Sequence, residues 1–220
     1  MTYKEAKSFL EGCNQYAGEF TLEPLKEMLR RLGDPQDQLT FVHIAGTNGK
    51  GSVLAYVSTV LKEAGYRVGR YISPTILEYR ERIQVNEAYI SEADLTRLAE
   101  RIQKTGRRML AEGYWHPTMF EAETALAFLY FAEQGCDLVV LECGRGGRTD
   151  ATNAIKNTAV AVFASVSMDH MGFLGDTLPE IAENKAGIIK PGCTVVSAKQ
   201  TPEAERVILE CAAACGCPVV

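Results

Sequence analysis

Apolar positions along this chain switch between two periods. At about 3–13 and 22–32 they recur every three to four residues, as in helices with one buried face. A short β-rich run at 40–45 follows, and helical spacing returns at 52–64, with Val53, Val57, Val60, Leu61 and Ala64 expected on one face. Val68 to Ile72 predicts a second strand. The segment from Ser91 to Glu112 opens on a capping pattern, Ser91-Glu92-Ala93-Asp94, and carries Leu95, Leu98, Ile102 and Met109 on one face. A helix from about Phe120 to Gln134 is rich in Ala, Leu and Phe, which predicts burial. Leu138–Leu141 and Ala159–Phe163 are short unbroken apolar runs, the pattern of parallel strands covered on both faces. A helix over 178–187, a strand over 193–197 and a helix over 203–214 continue the alternation, and Pro218-Val219-Val220 reads as the start of another strand. The expected fold is α/β: a three-layer, doubly wound, mostly parallel sheet with its site at the strands' carboxyl ends.

Composition narrows the class. The 220 residues are 46% hydrophobic and 23% charged, enough for one sizeable core. No run has the length of a membrane span, and the first residues lead into a polar helix, so a cytoplasmic protein without a membrane partner is expected. A net charge of −5 argues against a general nucleic-acid binder, though not against a local anion site. Seven cysteines without framework spacing suit a reducing compartment. Cys211, Cys215 and Cys217 could bind a soft metal. No histidine lies near them in sequence, however, and Cys211 and Cys215 fall in register with Val207 and Ile208. Buried inert thiols are expected there.

The chemistry concentrates in residues 41–53, FVHIAGTNGKGSV. An apolar strand stops at Gly46-Thr47-Asn48-Gly49-Lys50-Gly51-Ser52, and a helix starts. A strand, a glycine-rich turn and a helix N-terminus form a phosphate cradle, with a lysine to reach the terminal phosphates. The general P-loop spacing fails at both ends, since Ile44 stands where it needs glycine and Gly51 separates Lys50 from Ser52. The compact form is complete. Glu142 ends the apolar run 138–141, where such a sheet presents ligands. An unpaired buried carboxylate is costly, so it needs a metal ion or an ion pair with Arg145 or Arg148.

GTNGKGSV after an apolar strand resembles the ATP-binding loop of folylpolyglutamate synthase and dihydrofolate synthase, in the Mur ligase superfamily. Further blocks carry the resemblance in order: Ser73-Pro74 with Glu81-Arg82-Ile83, Pro117 to Glu121, Leu141 to Asn153, Asp169-His170, Phe173 to Leu178, and Glu183 to Gly192. The resemblance implies a fold like the central domain of Mur ligases and a specific reaction. ATP phosphorylates the carboxylate of a folate or dihydropteroate, and the amine of L-glutamate displaces phosphate.

Residue by residue, it implies that Gly46, Thr47, Asn48, Gly49, Lys50, Gly51 and Ser52 bind ATP. Mg²⁺, as one or two ions, would be held by Ser52, Ser73, Glu142 and His170. Lys50, Glu142, His170 and Lys185 would be catalytic, Lys185 as a CO₂-carbamylated lysine supporting the second metal. Arg82, Thr118, Phe120, Glu121, Arg148, Asp150 and Asn153 would border the folate, as would the segment from Phe20 to Glu23; Trp115 could stack there or pack in the interior. At 75–76, Thr75 and Ile76 replace the family's usual histidine and leucine. Family members are about twice as long, so the chain is expected to be an ATP-binding domain, incomplete at its C-terminus, without the second ligase domain. Inactivity alone and a monomeric complete enzyme are the corresponding expectations. Competing readings are a Mur-type peptidoglycan-precursor ligase and a non-catalytic nucleotide-binding module.

Overall fold

The computed structural model describes residues 1–16, 21–169 and 172–220. Its strands are β1 (Phe41–Ala45), β2 (Val68–Tyr71), β3 (Ile83–Val85), β4 (Ala88–Tyr89), β5 (Leu138–Glu142), β6 (Thr158–Phe163) and β7 (Thr194–Ser197). Across the sheet they lie in the order β4-β3-β2-β5-β1-β6-β7. β2, β5, β1, β6 and β7 are parallel, while β3 pairs antiparallel with β2 and β4. The α-helices are α1 (Tyr3–Gly12), α2 (Glu23–Arg31), α3 (Lys50–Glu63), α4 (Glu92–Ala111), α5 (Met119–Glu133), α6 (Leu178–Ala186) and α7 (Pro202–Ala214). From β1 the chain first builds toward β2 and later crosses to β6. The carboxyl end of β1 therefore lies at the reversal of strand order, where doubly wound sheets open a crevice.

The periodicity marks no strand between residues 73 and 90, yet β3 and β4 form a hairpin there. Asn86 and Glu87 turn it with φ of 48° and 68°, the paired left-handed geometry of a two-residue turn. Asn86 also accepts the Val68 N–H through its side chain at 2.8 Å. The strand expected at 218–220 is present only as a parallel bridge from Val219 to Val195.

α5 is buried without a break from Glu121 to Phe131. Phe128 and Phe131 pack with Phe41, Tyr71, Val139 and Leu141 of the sheet, while α1, α2 and α4 close over the far side of α5. α6 and α7 extend that layer across β6 and β7 through Ile181, Ala182, Val207 and Ile208. On the other face α3 presents Leu54 to Val42, Ile44, Val68 and Val140.

Two pattern expectations need correction. The buried positions of α3 are Leu54 and Ser58, whereas Val60 is 66% exposed and Ala64 is also at the surface. The helix begins two residues earlier than its spacing implies and rolls its face accordingly. β6 is covered fully on one side only: Ala161 and Phe163 are buried, Val160 and Val162 are half-buried, and Ala159 is exposed. Small β-branched residues look alike whichever side they cover.

Candidate active site

The glycine loop is shaped by β6 as much as by its own sequence. Thr47 N–H donates to the Ser165 carbonyl at 2.7 Å, and Thr47 Oγ1 both donates to Ser167 O at 3.0 Å and accepts Ser167 N–H at 3.1 Å. Gly46 has φ of +151°, and a Cβ there would stand 2.9 Å from the Ala164 Cβ, so only glycine allows this approach. Gly49, at φ +85°, turns the chain into α3. The Asn48 N–H also points to Ser165 O, at 3.4 Å. The Thr47 and Asn48 amides are thus occupied, and the free-facing donors are those of the first turn of α3. A helix leaves these N–H groups without internal acceptors, which makes its start an anion site.

Three charged groups surround the loop. Lys50 Nζ folds back onto the carbonyls of Gly46 and Thr47, at 3.2 and 3.4 Å. Lys185, only 1% exposed, reaches Gly46 O at 3.0 Å and Asp169 Oδ2 at 3.1 Å. Burial pushes its pKa down, Asp169 opposes this, and Lys50 adds to it. Glu142 ends β5 with its carboxylate 3.7 Å from where a Cβ on Gly51 would lie. It accepts the Ser73 N–H at 3.2 Å. Burial raises its pKa, offset in part by that N–H and by Lys50. An ion pair with Arg145 or Arg148 is not what holds it: Arg148 pairs with Glu183 at 2.9 Å, and Arg145 lies 3.4 Å from the centroid of Phe173. Among the described residues Ser73 Oγ is buried without a hydrogen-bond partner, and Ser52 is exposed at the start of α3. His170 and Phe20 lie outside the described residues. Among the described residues no three His, Cys, Asp or Glu side chains cluster as metal ligands.

Beside the loop a cleft of about 480 Å³ runs from Ser73 and Pro74 past Arg82, Phe120, Arg145 and Phe173. Thr118, Glu121 and Asp150 also line it, but each is already engaged. Glu121 Oε2 accepts Thr118 N–H at 2.8 Å and Thr118 Oγ1 at 2.7 Å, capping α5. Asp150 accepts Arg145 N–H at 2.7 Å, and Thr152 N–H at 3.0 Å together with its hydroxyl at 2.5 Å. Burial raises the Asp150 pKa and these donors restrain it. Thr152 continues inward to His43 Nε2, 2.8 Å away.

Arg148 and Asn153 are not among the residues lining the cleft. Arg148 turns to Glu183, and Asn153 donates to Arg148 O and Gly187 O, tying two loops together. Trp115 is neither buried nor among the residues lining this cleft: it is 74% exposed at an adjoining cavity that shares Thr21, Thr118 and Glu121 with it. In the cysteine-rich tail, Cys217 is buried with Cys193, their sulfurs 3.7 Å apart, while Cys211 and Cys215 are half-buried.

Sequence reasoning missed Ser165, Glu123, Tyr79 and Phe173. Only Glu123 carried a signal, as a carboxylate within a helix that has no polar face.

Fold and site together define a doubly wound α/β domain whose glycine loop lies at the carboxyl end of the central strand, ringed by two lysines and a buried glutamate. The chain belongs to the Mur ligase family, matching the Mur ligase middle domain over residues 44–209. It is 42% identical over 207 residues to the dihydrofolate synthase/folylpolyglutamate synthase of Bacillus subtilis, covering 94% of this chain and 48% of that one. With the folylpolyglutamate synthase of Lacticaseibacillus casei it shares 36% over 209 residues, 94% of this chain and 49% of the other. Two solved structures, the apo form of L. casei FPGS and an FPGS-AMPPCP-folate complex, each superpose with a TM-score of 0.95 at 35% identity, covering 100% of this chain and 54% of theirs. The chain spans about half the length of the curated relatives it matches.

Proposed function

We propose that this chain supplies the ATP- and folate-binding half of an ATP-dependent ligase that joins L-glutamate to a folate or dihydropteroate carboxylate. The observation that carries the reading is the meeting of the α3 N-terminus, Lys50, Glu142 and Lys185 at the glycine loop, with Glu142 accepting the amide of Ser73, a residue that lines a cleft with aromatic and arginine walls. Relatives named as folylpolyglutamate and dihydrofolate synthases, and a relative's complex with AMPPCP and folate, support it.

Carboxylate oxygen is a poor leaving group, so amide formation at neutral pH requires activation. A carboxylate oxygen of the substrate attacks the γ-phosphorus of ATP, and the bond to the bridging oxygen breaks, leaving ADP. The glutamate amine then attacks the acyl carbon, loses a proton, and phosphate departs. Phosphoryl transfer depends chiefly on positioning and charge neutralisation. In this reading the first-turn amides of α3 hold the phosphates, and Lys50 leaves its two loop carbonyls to meet the terminal phosphate. Phe120 and Phe173 flank the flat part of the acceptor. Arg82 and Arg145 offer donors to it.

The site suits magnesium: Glu142, the unpartnered Ser73 hydroxyl and the exposed Ser52 hydroxyl are hard oxygen donors. The ion would neutralise phosphate charge when bound. Lys185 in its neutral form would add to CO₂, losing a proton and becoming a carbamate. Burial, which disfavours its ammonium, supports that role. Seven free thiols fit a reducing, cytoplasmic setting, and among the described residues no helix is long and apolar enough to cross a membrane.

Calorimetric titration with AMPPCP, then with folate in the presence of AMPPCP, tests the reading. Saturable binding of both is expected. Failure to bind AMPPCP refutes the phosphate site, and AMPPCP binding without folate binding refutes the acceptor assignment.

A further inference from the structure

Behind the cleft, Glu123 meets Tyr79 and Arg82, the two ends of one 3-10 turn, with the Tyr71 hydroxyl beside Arg82. Glu123, on the buried helix α5, is 2% exposed. Tyr79 donates its hydroxyl to Glu123 Oε1 at 2.6 Å, and Arg82 Nη1 stands 3.0 Å from Glu123 Oε2. Arg82 reaches from this interior group into the cleft wall, its guanidinium carbon 5.8 Å from the Phe120 centroid.

The ion pair is close but poorly aligned. Arg82 Nε and Glu123 Oε2 are both buried without a hydrogen-bond partner among the described residues. A guanidinium holds its donors in a rigid fork, so anchoring Nη1 fixes where the remaining N–H groups aim. Burial of a carboxylate in a helix without a polar face has no packing rationale, since an apolar side chain would fill the space at lower cost. Its presence is explained if the orientation of Arg82 matters.

We propose that Arg82 is a specificity-determining residue whose guanidinium, on the cleft wall, donates to an oxygen acceptor on the cleft-bound substrate, and that Glu123 and Tyr79 are the positioning residues that aim it. This rests on the cleft being the folate site. The oxygen is a carbonyl or ring oxo group of the acceptor, because the carboxylate to be activated has to lie toward Ser73 and the glycine loop. Tyr79 holds the other carboxylate oxygen of Glu123, which restrains its rotation away from the arginine.

The test is calorimetric titration of the chain with folate in the presence of AMPPCP, alongside AMPPCP alone, for wild type, Arg82→Lys, Glu123→Gln, Glu123→Leu and Tyr79→Phe. Arg82→Lys keeps the charge and loses the fork; it is expected to weaken folate binding about tenfold, with AMPPCP affinity unchanged. Glu123→Gln, which can still accept from Tyr79, should lose less folate affinity than Glu123→Leu, and Tyr79→Phe should lose about threefold. A merely structural Glu123 would lower the melting temperature without separating the two affinities, and that result overturns the positioning role. Should Glu123→Leu fail to fold, Tyr79→Phe decides, because it removes a single hydroxyl. Wild-type folate affinity in Arg82→Lys overturns the proposal and leaves the ligase reading standing. Wild type that binds AMPPCP but no folate overturns both.

Discussion

Lys50 and Lys185 donate to the same atom, the Gly46 carbonyl oxygen, at 3.2 and 3.0 Å. They come from α3 and α6, far apart in sequence, and Asp169 is bonded to Lys185. Two ammonium groups on one carbonyl repel each other, and an anion arriving at the loop relieves that repulsion. Lys50→Ala is expected to weaken AMPPCP binding about tenfold or more, the scale of a lost charge-assisted contact of about 1.5–3 kcal/mol. Thermal unfolding should change little. Normal nucleotide affinity in this variant, measured by calorimetry, removes Lys50 from the site.

Lys185 carries a second expectation. Its buried amine, incubated with ¹³C-bicarbonate, should give a carbamate carbon resonance that Lys185→Ala lacks. Identical spectra from the two proteins, at several bicarbonate concentrations, count against the modification.

Gly46→Ala sets a methyl 2.9 Å from Ala164 Cβ and 3.2 Å from its carbonyl carbon, at a backbone angle alanine avoids. A destabilisation of about 1–3 kcal/mol is expected, with weaker AMPPCP binding because the loop must shift. Chemical denaturation and calorimetry on the same sample measure both. A neutral substitution means that the approach to Ala164 is looser than the distances indicate.

His43 should govern part of the acid sensitivity. The ring is wholly buried, which holds its pKa down at about 3, with Lys190 contributing; an unfolded histidine titrates near 6.5. Between these values the unfolded chain binds a proton that the folded chain refuses. The stability His43 permits is therefore complete above about pH 6.5 and declines as pH falls, by up to about 1.4 kcal/mol per pH unit. His43→Gln can still donate to Thr152 and does not titrate, so its stability should fall less steeply over this window. Parallel urea curves from pH 7 to pH 4 with equal slopes for both proteins contradict the assignment.

Much of this was legible beforehand, and the exceptions share a cause. Strands β1 and β5 announce themselves because buried parallel strands are apolar throughout, β6 because its residues are β-branched or apolar even where it is only half covered, and GTNGKGS marks the loop because few residue types allow its turns. The β3–β4 hairpin was illegible: its turn uses Asn86-Glu87 without glycine, and its strands are two and three residues long. Long-range pairing hid the rest. Nothing near Thr47 foretells that its amide belongs to Ser165, and nothing near Arg148 that its partner is Glu183. Trp115 misled because an aromatic residue beside a functional block is equally compatible with packing, stacking or exposure.

The bridge between Asn48 and Ser165 makes the phosphate loop a two-stranded clasp whose second strand lies some 120 residues downstream in the chain. In the proposed reading, nucleotide affinity is expected to depend on the backbone of residues 165–167 as well as on the loop itself. A larger residue at 164 would press on Gly46, where a Cβ would stand 2.9 Å from the Ala164 Cβ, and is expected to shift the loop and the start of α3 with it. The same clasp couples the loop to Asp169 and hence to Lys185. A shift in the segment after β6 would reach the phosphate cradle and the lysine beneath it together.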